Sequence, residues 1–176
     1  MPRYQIKRSA VDPQVRERLV NILANELRGQ ASAQGPAVFE EEVTGTDTFH
    51  VLVLWEQWQD IPTEERGAMI LDAYERSAAE VAPRITVTLG VTLDEALAMN
   101  LLPYQVSPMR KSSHPVSYAE LEAAMRAEGA VQTPAGLRMY FPSRKAAEDA
   151  YQRLSARIAG PYWAILQGQE TPEDQS

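Results

Sequence analysis

The first apolar pattern along the chain has helical spacing and lies between residues 13 and 28. Asp12 can cap the first turn and Pro13 is tolerated at the first helical position, so together they are typical of a helix start. Gly29 can adopt the left-handed conformation that ends many helices. A short strand over residues 4–8 is expected before this helix. The predicted buried stripe consists of Val15, Leu19, Val20, Ile22, Leu23 and Leu27.

Two extended runs follow, over residues 38–43 and 48–55, and the polar segment 44–47 between them contains a glycine. This pattern predicts an antiparallel hairpin. The second run, FHVLVLW, is apolar on both faces, so we expect a central strand that is covered on both sides, or nearly so. Thr63 is the predicted cap of a second helix, and residues 84–89 alternate as a half-exposed strand. The apolar stripe of that helix consists of Met69, Ile70, Ala73, Tyr74, Ala78 and Val81.

Residues 1–102 therefore predict an α+β domain with the order β-α-β-β-α-β, which is the order of a ferredoxin-like sheet. Without the weak first strand the order is α-β-β-α-β, as in a KH-like mixed sheet. Thr92 and Glu95 form a capping-box pattern for a short helix that closes this unit. The next segment, residues 103–116, holds three prolines and a polar RKSSH run and is the predicted linker.

A second pattern begins after the predicted linker. Ser117 with Glu120 forms another capping box, and Ser143 is the predicted cap of a long helix. Each of these helices is followed by an apolar strand. Residues 117–167 therefore predict a smaller α-β-α-β unit, and residues 168–176 form a tail that is too polar to fold alone.

The absence of cysteine excludes several kinds of chemistry. Disulfides, thiol nucleophiles, thiolate zinc sites and iron–sulfur ligation by the chain's own sulfur all require it. The first residues lack the apolar core of a signal peptide, and no segment has the ~20 apolar residues of a membrane span. We therefore expect a cytoplasmic protein that has no membrane partner.

Charge is distributed unevenly around the net value of −7. Residues 38–80 hold 11 acidic side chains against only Arg66 and Arg76. Such a segment repels phosphate backbones and favours a basic partner. Residues 108–165 hold 8 basic and 5 acidic side chains, so a nucleic-acid surface is expected there if anywhere.

Part of the chain, residues 15–97, resembles the BolA-like proteins, which have a type II KH-like domain. The resemblance implies the topology α-β-β-α-β for this region. Arg66-Gly67 stands where the family has an Arg-His pair, and Ile85 stands where it has a metal-ligand histidine, so only the topology is carried over. The segments that carry the resemblance are VRERL at 15–19, FHVLV at 49–53, ER at 65–66 and VTLDE at 91–95.

Acidic and aromatic residues around the hairpin are candidates for a partner-binding surface. Glu40 and Glu42 are expected on one face of an edge strand. Trp55 and Trp58 follow the central strand, with Asp60 beside them, and tryptophan is enriched at protein interfaces. Trp58 is the tryptophan that we expect to be exposed. The alternative interpretations are a solvated strand edge for the glutamates and a core position for both tryptophans.

A second candidate is the pair Glu42 and His50, which we expect to face each other across the hairpin. Such a pair could begin a catalytic dyad, and a small-ligand site near it and Tyr104 is a further hypothesis. A cross-strand pair without catalytic function is the alternative. The only other histidine, His114, does not complete a zinc motif with His50, so no metal site and no cofactor are predicted.

Four basic residues form the candidate anion or nucleic-acid site: Arg110, Lys111, Arg144 and Lys145. Arg144 and Lys145 are expected in the first turn of a helix, where positive charge opposes the helix dipole. A solvated helix face is the alternative. On the same helix we expect ion pairs among Arg153, Arg157, Glu148 and Asp149.

No phosphate-binding loop, nucleophile elbow or metalloprotease motif is present in the sequence, so no catalytic residues are predicted. The favoured hypothesis is a non-enzymatic protein-interaction or regulatory module whose acidic surface binds a partner protein. The alternatives are a nucleic-acid-binding protein that uses residues 108–165 and a small-ligand-binding or enzymatic domain. Self-association between acidic and basic surfaces is also open.

Overall fold

The computed structural model describes residues 11–30, 35–109, 115–133 and 136–168. It divides into two compact units, Met1–Leu93 and Asp94–Ser176, each with its own sheet. The α+β class is confirmed. The elements are α1 (Pro13–Leu27), β1 (Ala37–Glu42), β2 (Phe49–Leu54), α2 (Thr63–Ser77), β3 (Ile85–Val91), α3 (Leu93–Ala98), β4 (Tyr104–Pro108), α4 (Tyr118–Ala127), β5 (Val131–Thr133), β6 (Gly136–Phe141), α5 (Arg144–Arg157) and β7 (Trp163–Gln167).

The sheet of the first unit has the strand order β1-β2-β3. β1 and β2 form the predicted antiparallel hairpin, whereas β2 and β3 are parallel and are joined through the crossover helix α2. A split βαβ sheet needs a further strand between two parallel strands, so the direct pairing of β2 with β3 makes the ferredoxin-like alternative wrong for this unit. The predicted strand over residues 4–8 lies outside the described residues.

The core of the first unit lies between one face of this sheet and the helices α1 and α2. Val51 and Val53 of β2 are 2% and 0% exposed, whereas Leu52 and Leu54, on the other face, are only half-buried. The prediction of a strand that is covered on both sides, or nearly so, therefore holds fully for one face of β2 and in part for the other. Ile85, at the position of the metal-ligand histidine in BolA-like proteins, packs against this core. Membership of that family stays a prediction.

A buried arginine joins α2 to the end of β3. Arg66 is 4% exposed, and its guanidinium donates to the carbonyl oxygens of Ile61, at 2.7 Å, and Gly90, at 3.0 Å. A Cβ on Gly90 would lie 2.8 Å from Cβ of Arg66 and 3.2 Å from the indole of Trp58. Only glycine therefore allows helix and strand to approach this closely.

The second unit has the order β4-α4-β5-β6-α5-β7 and a fully antiparallel sheet with the strand order β5-β6-β4-β7. This is the split βαβ arrangement of ferredoxin-like folds, found in the unit for which only α-β-α-β was predicted. Its core includes Val106 of β4, Leu121 of α4, Leu137 of β6 and Leu154 of α5, each no more than 2% exposed.

The predicted linker over residues 103–116 is wrong in its first part, because Tyr104–Pro108 is the central strand β4. β4 alternates apolar and polar residues, but it has only five residues, begins after Pro103 and ends at Pro108, and these prolines are typical of a loop. β5, with three residues, is too short to be recognised. Residues 110–114 of the predicted linker and 169–176 of the predicted tail lie outside the described residues.

The helix ends agree with most of the predicted caps. Asp12 accepts hydrogen bonds from the backbone of Gln14 and Val15, and the Ser117–Glu120 capping box and the Ser143 cap are both formed. Thr63 differs from its prediction, because the cap position is taken by Pro62, which makes no side-chain bond. The predicted Thr92–Glu95 capping box stays a prediction. Within the described ranges, no helix is long and apolar enough to cross a membrane.

The Gly90→Ala variant tests the contact between Arg66 and β3. We expect it to destabilise the first unit by about 1–3 kcal/mol, because a methyl group overpacks this joint. The measurement is urea unfolding followed by tryptophan fluorescence in a Trp163→Phe background, in which the remaining tryptophans belong to the first unit. Val87→Ala is the control on the same strand, since Val87 is 48% exposed. An equal loss in both variants would contradict the role of Gly90.

The capping box at α4 predicts a pH dependence of the second unit. The backbone N–H of Ser117, followed by its hydroxyl, lowers the pKa of Glu120. A lowered pKa in the folded state means stability that is present at neutral pH and is lost as the pH falls through the pKa of the folded state. We therefore expect Glu120→Gln to be less stable than the wild type at pH 7, with the difference shrinking by pH 3. Thermal unfolding at both pH values measures this, and Glu122→Gln makes the same charge change outside the box.

Candidate protein-interaction surface

The acidic residues of β1 lie at an edge of the first sheet as far as its strands are described. β1 is the outer strand in the described order β1-β2-β3, and Glu40, Glu41 and Glu42 are all exposed. Their side chains alternate between the two sheet faces. Glu40 points to the helix-covered face, where its carboxylate accepts a hydrogen bond of 2.5 Å from the hydroxyl of Tyr74. The three carboxylates therefore do not converge on one point.

Tyr74 ties this edge strand to α2. The residue is 1% exposed, and burial, followed by the hydrogen bond to Glu40, raises the pKa of its phenol. The phenol therefore stays protonated and donates to Glu40 over the accessible pH range. Glu40, predicted as a partner-binding residue, already has a structural contact. The sequence predicted Tyr74 as a core residue but contained no sign of this hydrogen bond.

The predicted pairing of Glu42 with His50 is wrong. Glu41 lies opposite His50, and Glu42 lies opposite Phe49. The predicted pairing centres the hairpin on Thr46. The observed centre lies half a residue earlier, at the bond between Gly45 and Thr46, and this shift changes each cross-strand partner by one residue. Glu41 and His50 therefore share the face of the sheet that points away from the helices.

The predicted tryptophan docking site is also wrong, because both indoles belong to the core. Trp58 is 0% and Trp55 5% exposed, and their rings meet edge to face at 5.1 Å. A short 3-10 turn, Glu56–Trp58, folds the chain back after β2, so that Nε1 of Trp58 donates to the carbonyl of Val53 at 3.2 Å. Asp60 remains exposed after this turn.

The structure also separates the predicted surface into two places. Glu42 pairs with Phe49 at the start of β2, and Asp60 follows the far end of the same strand. A strand rises about 3.3 Å per residue, so the length of β2 separates them by roughly 15–20 Å. Glu41 and Glu42 therefore form the candidate surface, which we call the acidic edge.

The two arginines of the acidic segment 38–80 are used elsewhere. Arg66 is buried at the joint with β3, and Arg76 donates to both carboxylate oxygens of Glu17 on α1, at 2.7 and 3.0 Å. The hydrogen bond from Arg76 lowers the pKa of Glu17. By contrast, the carboxylates of Glu41 and Glu42 form no ion pair with any described residue. The acidic edge is therefore not neutralised by the described part of the chain.

Basic side chains of the second unit are paired locally. Nε of Arg144 lies 2.8 Å from Glu148, and Nζ of Lys145 lies 3.0 Å from Asp149. These contacts correct the expectation that Glu148 and Asp149 pair with later arginines. Instead, both later arginines bind Glu128 at the end of α4, Arg157 at 2.7 Å and Arg153 at 2.9 Å.

The predicted anion site is thus partly neutralised, since Arg144 and Lys145 each have an acidic partner. The other two members, Arg110 and Lys111, lie outside the described residues. Across the described part of the chain, no three His, Asp or Glu side chains are placed to hold a metal ion.

Comparison with protein-family models, curated proteins and solved structures gives no match for this chain.

Tyr74→Phe tests the contact between α2 and the acidic edge. We expect a loss of about 1 kcal/mol in the first unit, because a hydrogen bond to a charged acceptor is removed at a site where water can reach Glu40. Urea unfolding of the single variants and of Tyr74→Phe/Glu40→Ala measures it, since alanine removes the acceptor. The two effects should not add, whereas Tyr74→Phe and Glu75→Ala should add. Full additivity of the first pair would show that this hydrogen bond contributes nothing.

Proposed function

We propose that this chain is a protein-interaction module whose acidic edge, Glu41 and Glu42, binds a basic segment of a partner protein. One observation carries the proposal: these carboxylates are exposed and have no cationic partner among the described residues, although two arginines belong to the same acidic segment. The negative charges of the acidic edge are therefore available to bind a cationic partner.

The basic side chains of the second unit are paired, whereas the acidic edge is not, and this difference favours binding of a basic protein over binding of nucleic acid. Four basic side chains on α5 are held by Glu128, Glu148 and Asp149. These carboxylates offset the positive charge that a phosphate would meet on α5. The exposed carboxylates of Glu41 and Glu42, by contrast, have no such counter-charge among the described residues and are available to lysine or arginine side chains.

Charge reversal at the acidic edge tests the proposal. Glu41→Lys/Glu42→Lys should weaken binding of a partner about tenfold, because two attractive contacts become repulsive. The matched control is Glu75→Lys/Glu80→Lys, which makes the same charge change at exposed positions on and after α2. The measurement is affinity capture by the full chain with quantitative mass spectrometry, followed by binding isotherms of the recovered partner at two salt concentrations.

Wild type and control should recover the same basic partner, with weaker binding at high salt. Recovery of that partner by the Glu41→Lys/Glu42→Lys variant at unchanged affinity would exclude the acidic edge. Failure to recover any salt-sensitive partner would overturn the proposed function itself.

A further inference from the structure

One glutamate of the acidic edge lies beside a side chain that can change its charge near neutral pH. Glu41 of β1 is paired in register with His50 of β2, and both point away from the helices. The Cβ atoms of such cross-strand neighbours are about 4.5–5.5 Å apart, so a carboxylate and an imidazole can meet. Glu41 is exposed and His50 is half-buried, and neither forms an ion pair or a hydrogen bond with another described residue.

Glu41 is the charged group that faces His50 among the described residues of the first sheet. On the other side of His50, the register partner in β3 is Val87, which is uncharged. β2 has no other titratable side chain, and the other two glutamates of β1 point to the opposite face of the sheet. The nearest charges at the hairpin turn, Asp47 and Arg84, bind each other. Protonation of His50 would therefore act on the carboxylate of Glu41.

We propose that His50 regulates the acidic edge by pH: when the imidazole is protonated, it binds the carboxylate of Glu41 and competes with the basic side chains of the partner. This inference rests on the proposed function and adds its regulation. Histidine gains its charge as the pH falls between about 8 and 5, whereas glutamate ordinarily stays ionised over most of that range. Binding of a basic partner is therefore strongest above neutral pH and weakens towards pH 5.5.

The positions of the other glutamates limit the size of this effect. Glu40 is already bonded to Tyr74 on the helix-covered face. Glu42 lies opposite Phe49 and shares that face, so the imidazole of His50 does not reach it. Protonation of His50 thus removes one of the two available carboxylates and leaves the other. Because opposite-charge pairs across exposed strands are weak, we expect about a threefold loss of affinity.

The contact is tested first without a partner, by following the imidazole C–H resonance of His50 in the full chain through a pH titration by NMR. The signal is assigned by its loss in His50→Gln. The carboxylate of Glu41 favours the charged imidazole, so Glu41→Gln should lower the midpoint of the titration by about half a pH unit, which is equivalent to about a threefold change. Glu42→Gln removes the same charge on the opposite face and should lower the midpoint much less. A midpoint that is unchanged in Glu41→Gln would overturn the inference.

The effect on binding is measured with an oligolysine peptide, whose charge is the same at pH 7.5 and pH 5.5. Titrations at both pH values use the full chain at one low ionic strength. The wild type should bind about threefold more weakly at pH 5.5. His50→Gln should bind almost equally at the two pH values, whereas His114→Gln, which replaces the only other histidine, should keep the pH dependence of the wild type.

The outcomes distinguish this inference from the proposed function. If Glu41→Lys/Glu42→Lys binds the peptide as well as the wild type does at pH 7.5, the proposed function fails, and the regulation by His50 fails with it. If binding depends on the acidic edge but is equal at the two pH values, or if His50→Gln keeps the pH dependence, only the regulation is overturned. Circular dichroism checks the fold of each variant. Should His50→Gln not fold, Glu41→Gln changes an exposed residue of the same contact and must itself lose most of the pH dependence.

Discussion

The guanidinium of Arg66 holds together the two elements on which the first unit depends. It lies at the start of α2 and donates to the carbonyl of Gly90 near the end of β3, so the crossover helix and the strand that follows it are bonded to each other. The absence of a side chain at Gly90 makes room for this contact and for the indole of Trp58. Because β3 is the strand that follows α2 in the chain, the joint supports the parallel pairing of β2 with β3. A buried charge is costly unless it is hydrogen-bonded, and here backbone carbonyls supply the bonds.

The two units use their charges differently. In the first unit, Arg16 and Arg76 join α1 to α2 through Asp72 and Glu17, so the arginines stabilise the helix pair and leave the acidic edge uncompensated. In the second unit, Glu128 brings α4 and α5 together by binding two arginines of α5. Whether a charged segment can bind a partner therefore depends less on its net charge than on which of its side chains are already paired within the chain. This difference is why an acidic interaction surface is better supported than a basic one.

Much of the local structure could be predicted because its causes lie within a few residues. The caps Asp12, Ser117 and Ser143 bond to backbone groups two or three positions away, and Gly29 adopts the positive φ of 78° that ends α1. β4 could not be predicted in the same way. It begins after Pro103 and ends at Pro108, which is typical of a loop, and it becomes a strand because β6 and β7 bond to it from both sides.

The sequence predicted which residues are candidates for the interaction surface, but it did not predict where their side chains lie. Arg66 lies three and four residues before Met69 and Ile70, on the apolar stripe of α2, and this spacing could have marked it as buried. Nothing local distinguishes an outward from an inward tryptophan after a strand, so the burial of Trp58 required the turn that folds it back.

The sequence by itself determined the helices with the caps Asp12, Ser117 and Ser143, the hairpin, the α+β class and the concentration of acidic residues up to residue 80, because each depends on neighbours along the chain. The tertiary structure alone decided that β2 pairs directly with β3, that Glu41 and not Glu42 faces His50, and that the arginines of the acidic segment point away from its surface. These outcomes depend on contacts between residues distant in the chain. A one-residue change of register or a single hydrogen bond to a remote carbonyl leaves no trace in the local pattern.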